Sequence, residues 1–231
     1  GTFESKTLDG RSEMRLQFEG ALLESLLSSD PNAAANRLSD LPEDQRREVL
    51  QQIAFDGLSP ESRNTYASLV RNLVPGDERA GSFAHIASEL VNNGGFSDVG
   101  KFLDAVNATP EERSAAAMDA ANSRLEQLGQ DGKVTAKDVD AMREWLKVQA
   151  PGQIDSITGK ALAEAAQERG EFKFEDAAQL ALQYQQSSGN DDVLVAFLES
   201  YSARSNLEEA RHLADRITDP ARRNEILKGL K

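Results

Sequence analysis

Cysteine is absent from the chain, which removes disulfides, thiolate metal sites and a cysteine nucleophile together. Histidine is nearly absent. His85 and His212 are the two present, far apart and in no H-x-x-x-H pair, so they supply too few ligands for zinc and read as core or boundary packing. Long apolar runs are missing as well. The longest nearly apolar run, Val193 to Leu198, is far too short to span a bilayer, and no basic start leads into an apolar signal-like stretch. We therefore expect no membrane insertion of this chain. No segment alternates apolar and polar residues with period two, and no Asn-Gly pair separates apolar runs, so no strand is predicted.

Clustered positive charge is also lacking. The 26 Lys and Arg residues are interleaved with 39 Asp and Glu along the chain, giving a net charge of −13. A phosphate backbone needs grouped cations to displace its counterions, so nucleic acid is not an expected partner, and an anionic membrane surface is disfavoured on the same ground. Aromatics make up 6% and apolar residues 39% of the chain, which suits a thin helical protein with much surface better than a compact globule.

What is present is helical period with strong punctuation. Residues 1–12 show no apolar period and are expected to be a flexible N-terminal segment, with a single helical-repeat domain over 13–231. From Glu13, Met14, Phe18, Leu22, Leu23, Leu26 and Leu27 recur at helical spacing. Asp30-Pro31, Ser59-Pro60, Thr109-Pro110 and Asp219-Pro220 each place a capping side chain before a proline, a pairing that starts helices because proline has no amide to leave unpaired. The class is all-α.

First helices of successive hairpins begin near Pro31, Pro60, Phe96, Thr135, Phe174 and Asn206, at spacings of 29, 36, 39, 39 and 32 residues. Such a period belongs to helical-hairpin repeats. Four breaks share chemistry: Leu41 to Arg46, Val74 to Arg79, Asn107 to Arg113 and Ile217 to Arg222 each combine a proline with an arginine about one turn later, and all but the last add acids after the proline. The arginine is expected to pair with a carboxylate of the neighbouring repeat. Ala115, Ala116, Ala120 and Ala121 would let helix axes approach closely.

These turns and spacings resemble HEAT-like and tetratricopeptide-like solenoids over residues 13–231, and most nearly bacterial repeat proteins with Ala-rich hairpins and a Pro-acid-x-Arg turn. The resemblance implies a right-handed α-α superhelix of about six hairpins with a concave face lined by one set of helices.

Candidate sites are few. Gln127 to Asp138 has Asp131-Gly132 followed by Val134, as at the centre of a calcium loop, yet Gln127, Gly129 and Asp138 occupy the outer positions where calcium needs carboxylates and a bidentate glutamate. It reads as a turn between helices. Asp191-Asp192, Glu111-Glu112 and Glu208-Glu209 lie in first turns, where capping accounts for them. Trp145, the only tryptophan, sits among Met142, Leu146 and Val148 and reads as packing rather than as an exposed anchor. No G-x-S-x-G, P-loop or dinucleotide fingerprint occurs. No catalytic, cofactor or metal residue is therefore assigned, and no cofactor is expected. The expected role is a non-enzymatic scaffold that binds a protein or peptide through its concave face. The alternative is an enzyme or enzyme subunit whose carboxylates act on a carbohydrate or metal-bound substrate; a third reading, a HEAT-like DNA glycosylase, needs a basic groove that the charge balance opposes. The chain opens on Gly1 rather than methionine, which points to a trimmed N-terminus and to an extracytoplasmic home, periplasmic or membrane-anchored, with the cytoplasm as the alternative.

Overall fold

The computed structural model describes residues 2–166 and 170–230, and all regular structure among them is helical. Thirteen α-helices run in order: α1 Thr2–Ser29, α2 Pro31–Ser39, α3 Glu43–Leu50, α4 Pro60–Leu73, α5 Gly76–Ala105, α6 Pro110–Asp131, α7 Ala136–Gln149, α8 Ile154–Ala165, α9 Phe174–Ser188, α10 Asp192–Leu198, α11 Tyr201–Ser205, α12 Leu207–Ala214 and α13 Pro220–Gly229. Short 3-10 turns at Phe55–Gly57 and Pro151–Gln153 precede α4 and α8. No helix among the described residues is long and apolar enough to cross a membrane.

Start signals act where the sequence puts them. The carboxylate of Asp30 accepts from the amide of Ala33, Ser59 Oγ from Ser62, and Asp219 from Ala221 and Arg222, each ahead of a proline at the first helical position. Thr109 and Glu112 close a capping box at α6.

Helix boundaries differ from expectation at some points and agree with it at others. The α1 backbone is helical from Thr2 rather than from Glu13. The break expected ahead of Phe96 is present: Gly95 adopts φ 69° and ψ −175°, a non-helical region open in practice only to glycine, and interrupts α5 there. The kink divides α5 into a first arm, 76–94, and a second arm, 96–105. Val193 to Ala203 is not one helix: it is divided at Ser200, whose side chain caps α11. Asn206 does not cap α12 through its side chain; it donates instead to the Ser202 carbonyl at 2.8 Å. α8 ends at Ala165, and 167–169 lie outside the described residues.

Apolar side chains form two buried clusters that meet on α6. Ala116 and Ala120 belong to the cluster built from α1 to α6, and Ala117, Ala121 and Leu125 to the cluster running from α6 to α13. One helix can serve both because alanine lets neighbours approach it from two sides. Phe96 and Trp145 stack at 4.7 Å between ring centres and pack against both clusters, so Trp145 is a packing residue at the junction. Close packing continues from α6 to α8 and from α8 to α10. At these crossings a side chain on Gly129 would collide with the Ala165 carbonyl, and one on Gly159 with the Val193 carbonyl. On α1, Leu23 and Leu27 are buried while Met14 and Phe18 stay exposed, since α2, α3 and α4 cover one side of that helix.

The turn arginines behave differently from expectation. Arg46, Arg79 and Arg113 occupy the same fourth position of α3, α5 and α6, whether proline is the cap residue, as in the first two, or follows it, as in the third. Each donates its Nε to the carbonyl of the residue just before the cap: Leu41 at 3.1 Å, Val74 at 3.0 Å and Ala108 at 3.2 Å. A guanidinium can satisfy such a carbonyl and still reach outward with its two Nη groups. Arg79 acts on Glu112 of α6 by charge without a direct ion pair between them, and Arg113 reaches Asp104 at 2.8 Å, on the second arm of α5 that precedes it. Arg222, one position earlier in its helix, does form the expected pair, with Asp192 at 2.8 Å.

Candidate binding groove

The groove grows from two polar stripes. On α4, Ser62, Tyr66, Leu69 and Val70 face the core, which turns Arg63, Asn64, Ser68, Arg71 and Asn72 to the other side at helical spacing. On the second arm of α5, Val99 and Leu103 are buried, and Asp98, Lys101, Phe102 and Ala105 line the opposite side. The kink at Gly95 re-aims this arm, and the space left between it and α4 is a groove of about 700 Å³. Its floor is apolar, made by Phe55, Ala67, Leu90 and Phe102.

Aromatic contacts hold the floor. Phe55 meets Tyr66 and Phe102 edge-on at 5.3 and 5.4 Å, and Phe102 meets Phe83 at 5.8 Å. Tyr66 anchors the set by donating its hydroxyl to the Leu50 carbonyl at 2.9 Å, and burial pushes its phenol far above the usual range.

Two arginines frame the groove. Arg63 lies over the Phe55 ring at 5.5 Å and donates Nε to the Phe55 carbonyl at 3.2 Å. Arg71 lies over Phe83 at 4.9 Å, forks onto both oxygens of Glu112 at 2.7 and 2.9 Å and donates to the Val106 carbonyl at 2.9 Å. Burial acts to raise the pKa of Glu112, but the Arg71 bonds and the Thr109 amide outweigh it and hold the carboxyl below the usual range. Lys101 is 75% exposed and meets Asp98 at 3.0 Å, so its ammonium stands at the open edge.

The sequence reading singled out none of Arg63, Lys101 or Phe102. A signal was present, in the Arg63, Ala67, Arg71 spacing on α4, but such a stripe also describes any solvated helix face.

The residues that the reading did weigh are scattered. His85 lies on the first arm of α5, partly buried, 3.3 Å from Glu89, whose other oxygen accepts from the Phe55 amide at 2.9 Å. His212 is exposed in the last turn of α12, so it is not a packing residue. Gln127 to Asp138 is the end of α6, a turn and a capping box in which Asp138 accepts from the Thr135 amide and hydroxyl at 2.9 and 2.6 Å. That carboxylate is occupied as a cap.

Glu112 caps α6 as expected, and Glu208 and Glu209 are exposed in the first turn of α12. Asp191 is different. Its side chain does not cap its own helix but the turn between α12 and α13, accepting from the Thr218 amide and hydroxyl and the Asp219 amide at 2.8 to 3.1 Å, while Gln185 donates to it at 2.8 Å.

A second groove of about 520 Å³ lies where α9 begins, between Phe174 and Tyr201, the latter 78% exposed. No group of three or more His, Cys, Asp or Glu placed to hold a metal ion occurs among the described residues. No protein-family model matches the chain, and neither a curated protein nor a solved structure matches it.

Proposed function

We propose that the chain is a non-enzymatic helical-repeat scaffold, a right-handed α-solenoid of about six hairpins that binds a partner protein or peptide. Two features support the architecture: alternate helices α6, α8 and α10 pack in succession, and the same arginine-to-carbonyl bond recurs at three turns. The groove between α4 and the second arm of α5 carries the binding half, because it joins an apolar floor to a polar, partly cationic rim without a cluster of reactive groups. A carboxylate enzyme would need carboxyls of raised pKa converging in a pocket. Asp119, pushed upward by partial burial, lies beside His85 and does not line this groove.

Photo-crosslinking residues placed at Asn64, Lys101, Lys137 and Lys160, all exposed, test the reading in extracts of the native compartment. A discrete protein adduct that is reproducible and confined to one of these faces is expected. Loss of every specific adduct would overturn the scaffold reading.

A further inference from the structure

Among side chains, only histidine has an ordinary pKa between pH 5 and 8, and this chain has two, so a side-chain response to pH in that range belongs to His85 or His212. His212 stands exposed on α12. His85 faces Glu89 one turn along α5 at 3.3 Å, and the two side chains are 34% and 25% exposed, so water can deliver and remove the proton. Two further charges face His85 from the helices packed against it, Asp119 of α6 and Arg47 of α3, and they act on it in opposite senses. From α4, Tyr66 faces the Glu89 side of the pair, but its buried phenol, pushed upward, keeps its proton throughout this range. Glu89 has a second task. While Oε1 faces His85, Oε2 accepts from the Phe55 amide at 2.9 Å. Phe55 opens the 3-10 turn Phe55–Gly57, in which the Gly57 amide donates to the Ala54 carbonyl and the Leu58 amide to the Phe55 carbonyl, both at 3.2 Å. A turn this short holds itself by few bonds, so loss of an outside acceptor for its first amide is felt by the whole turn. The Phe55 ring is part of the groove floor, edge-on to Tyr66 and Phe102, and its carbonyl accepts from Arg63 Nε. The carboxylate that His85 faces is the one that ties this floor to α5.

We propose that His85 and Glu89 form a pH-operated latch on the Phe55 turn. The inference rests on the groove being the binding surface of the scaffold and names how that surface is regulated. With His85 charged, Glu89 is held between the imidazolium and the Phe55 amide. Once the proton leaves, the carboxylate keeps its bond to the amide but loses the ion pair that fixed its position, and the turn opens more often. The groove floor is therefore firm below the pKa of His85 and looser above it.

Amide hydrogen exchange of the intact chain tests this without a partner, followed residue by residue by NMR from pH 5.5 to 8 and divided by the intrinsic rate at each pH. Protection of the Phe55, Gly57 and Leu58 amides is expected to fall together as pH rises, on the order of tenfold, which is one pK unit of coupling to a proton. The Thr218 amide is the control. It is held by Asp191, a carboxylate that titrates at about 2, so its protection should stay constant over this range. His85→Gln should remove the pH dependence at the Phe55 turn and His212→Gln should keep it, with circular dichroism checking that both variants are folded. Constant protection of the turn in the parent chain would overturn the latch, and that measurement needs no variant. An equal fall at Thr218 would overturn it too, since it would report global unfolding, and so would a pH dependence that survives His85→Gln. Constant protection overturns the latch whatever the crosslinkers capture, and loss of every adduct overturns the scaffold reading whatever the exchange shows.

Discussion

Arg46 donates from Nη1 to the carbonyl of Leu73 at 3.1 Å, which ties the first turn of α3 to the last turn of α4. The same side chain serves Leu41 and Ser39 carbonyls, so one guanidinium satisfies three acceptors at helix ends. Arg113 makes the corresponding reach from α6 to the Gln149 side chain at 2.7 Å, at the end of α7. Arg46→Lys keeps the charge but has no fork, and we expect it to cost roughly 1–3 kcal/mol, as for loss of charge-assisted hydrogen bonds. Urea unfolding measures the difference. A lysine variant as stable as the parent would show that these bonds do not join the helices.

Helix approach gives a sharper prediction. Gly129 and Gly159 face backbone atoms of α8 and α10 rather than flexible side chains, so a methyl group at either position has to move a helix. We expect Gly129→Ala and Gly159→Ala each to destabilise by about 1–3 kcal/mol, as overpacked cores do. Gly132→Ala, where an added methyl meets open space, is the control and should change stability far less. Thermal melts of the three variants distinguish steric collision from glycine's general backbone effect.

These residues also show what could be read from the sequence. Helix starts were legible because a cap before a proline is a local rule, obeyed at Asp30, Ser59, Thr109 and Asp219. The break at Gly95 was legible as well, but the direction of the second arm was not, since only its packing decides that. The groove was hidden for a related reason: Arg63 and Lys101 come to line one groove through the kinked arm, not through any sequence period. Asp191 misled in the opposite way. Its place before α10 fits a local cap, while its bonds run to Thr218 and Asp219 in the turn ahead of α13.

Asp191 sets an acid limit. Burial acts to raise its pKa, but the amides of Asp219 and Thr218 and the Gln185 side chain outweigh that and bring it down to about 2 from the model-peptide value of 3.8. A carboxyl depressed in the folded state contributes stability that is complete above its unfolded pKa and lost as pH falls through the folded one. Asp191→Asn keeps the shape yet presents an amide group to donors, and we expect it to cost on the order of 2 kcal/mol at pH 7. The gap between parent and variant should narrow from about pH 4 to pH 2. A gap constant over that range, measured by denaturant unfolding, would detach the stability from this carboxylate.

His85 supplies the neutral-pH counterpart. The Glu89 carboxylate, 3.3 Å away, raises its pKa against partial burial, with Asp119 on α6 adding to the rise and Arg47 on α3 opposing it. Because Glu89 also accepts from the Phe55 amide, the pair links the first arm of α5 to the turn under the groove. A histidine raised above 6.5 contributes stability that is fully present below that value and is lost as pH rises through its folded pKa. The parent should therefore lose thermal stability over the range just above pH 6.5, and His85→Gln, which cannot be charged, should show a flatter profile there. Differential scanning calorimetry from pH 5.5 to 8 compares the two directly. Parallel profiles would mean that His85 does not titrate against Glu89, and a parent that gains stability over this range would reverse the assignment of the proton to the folded state.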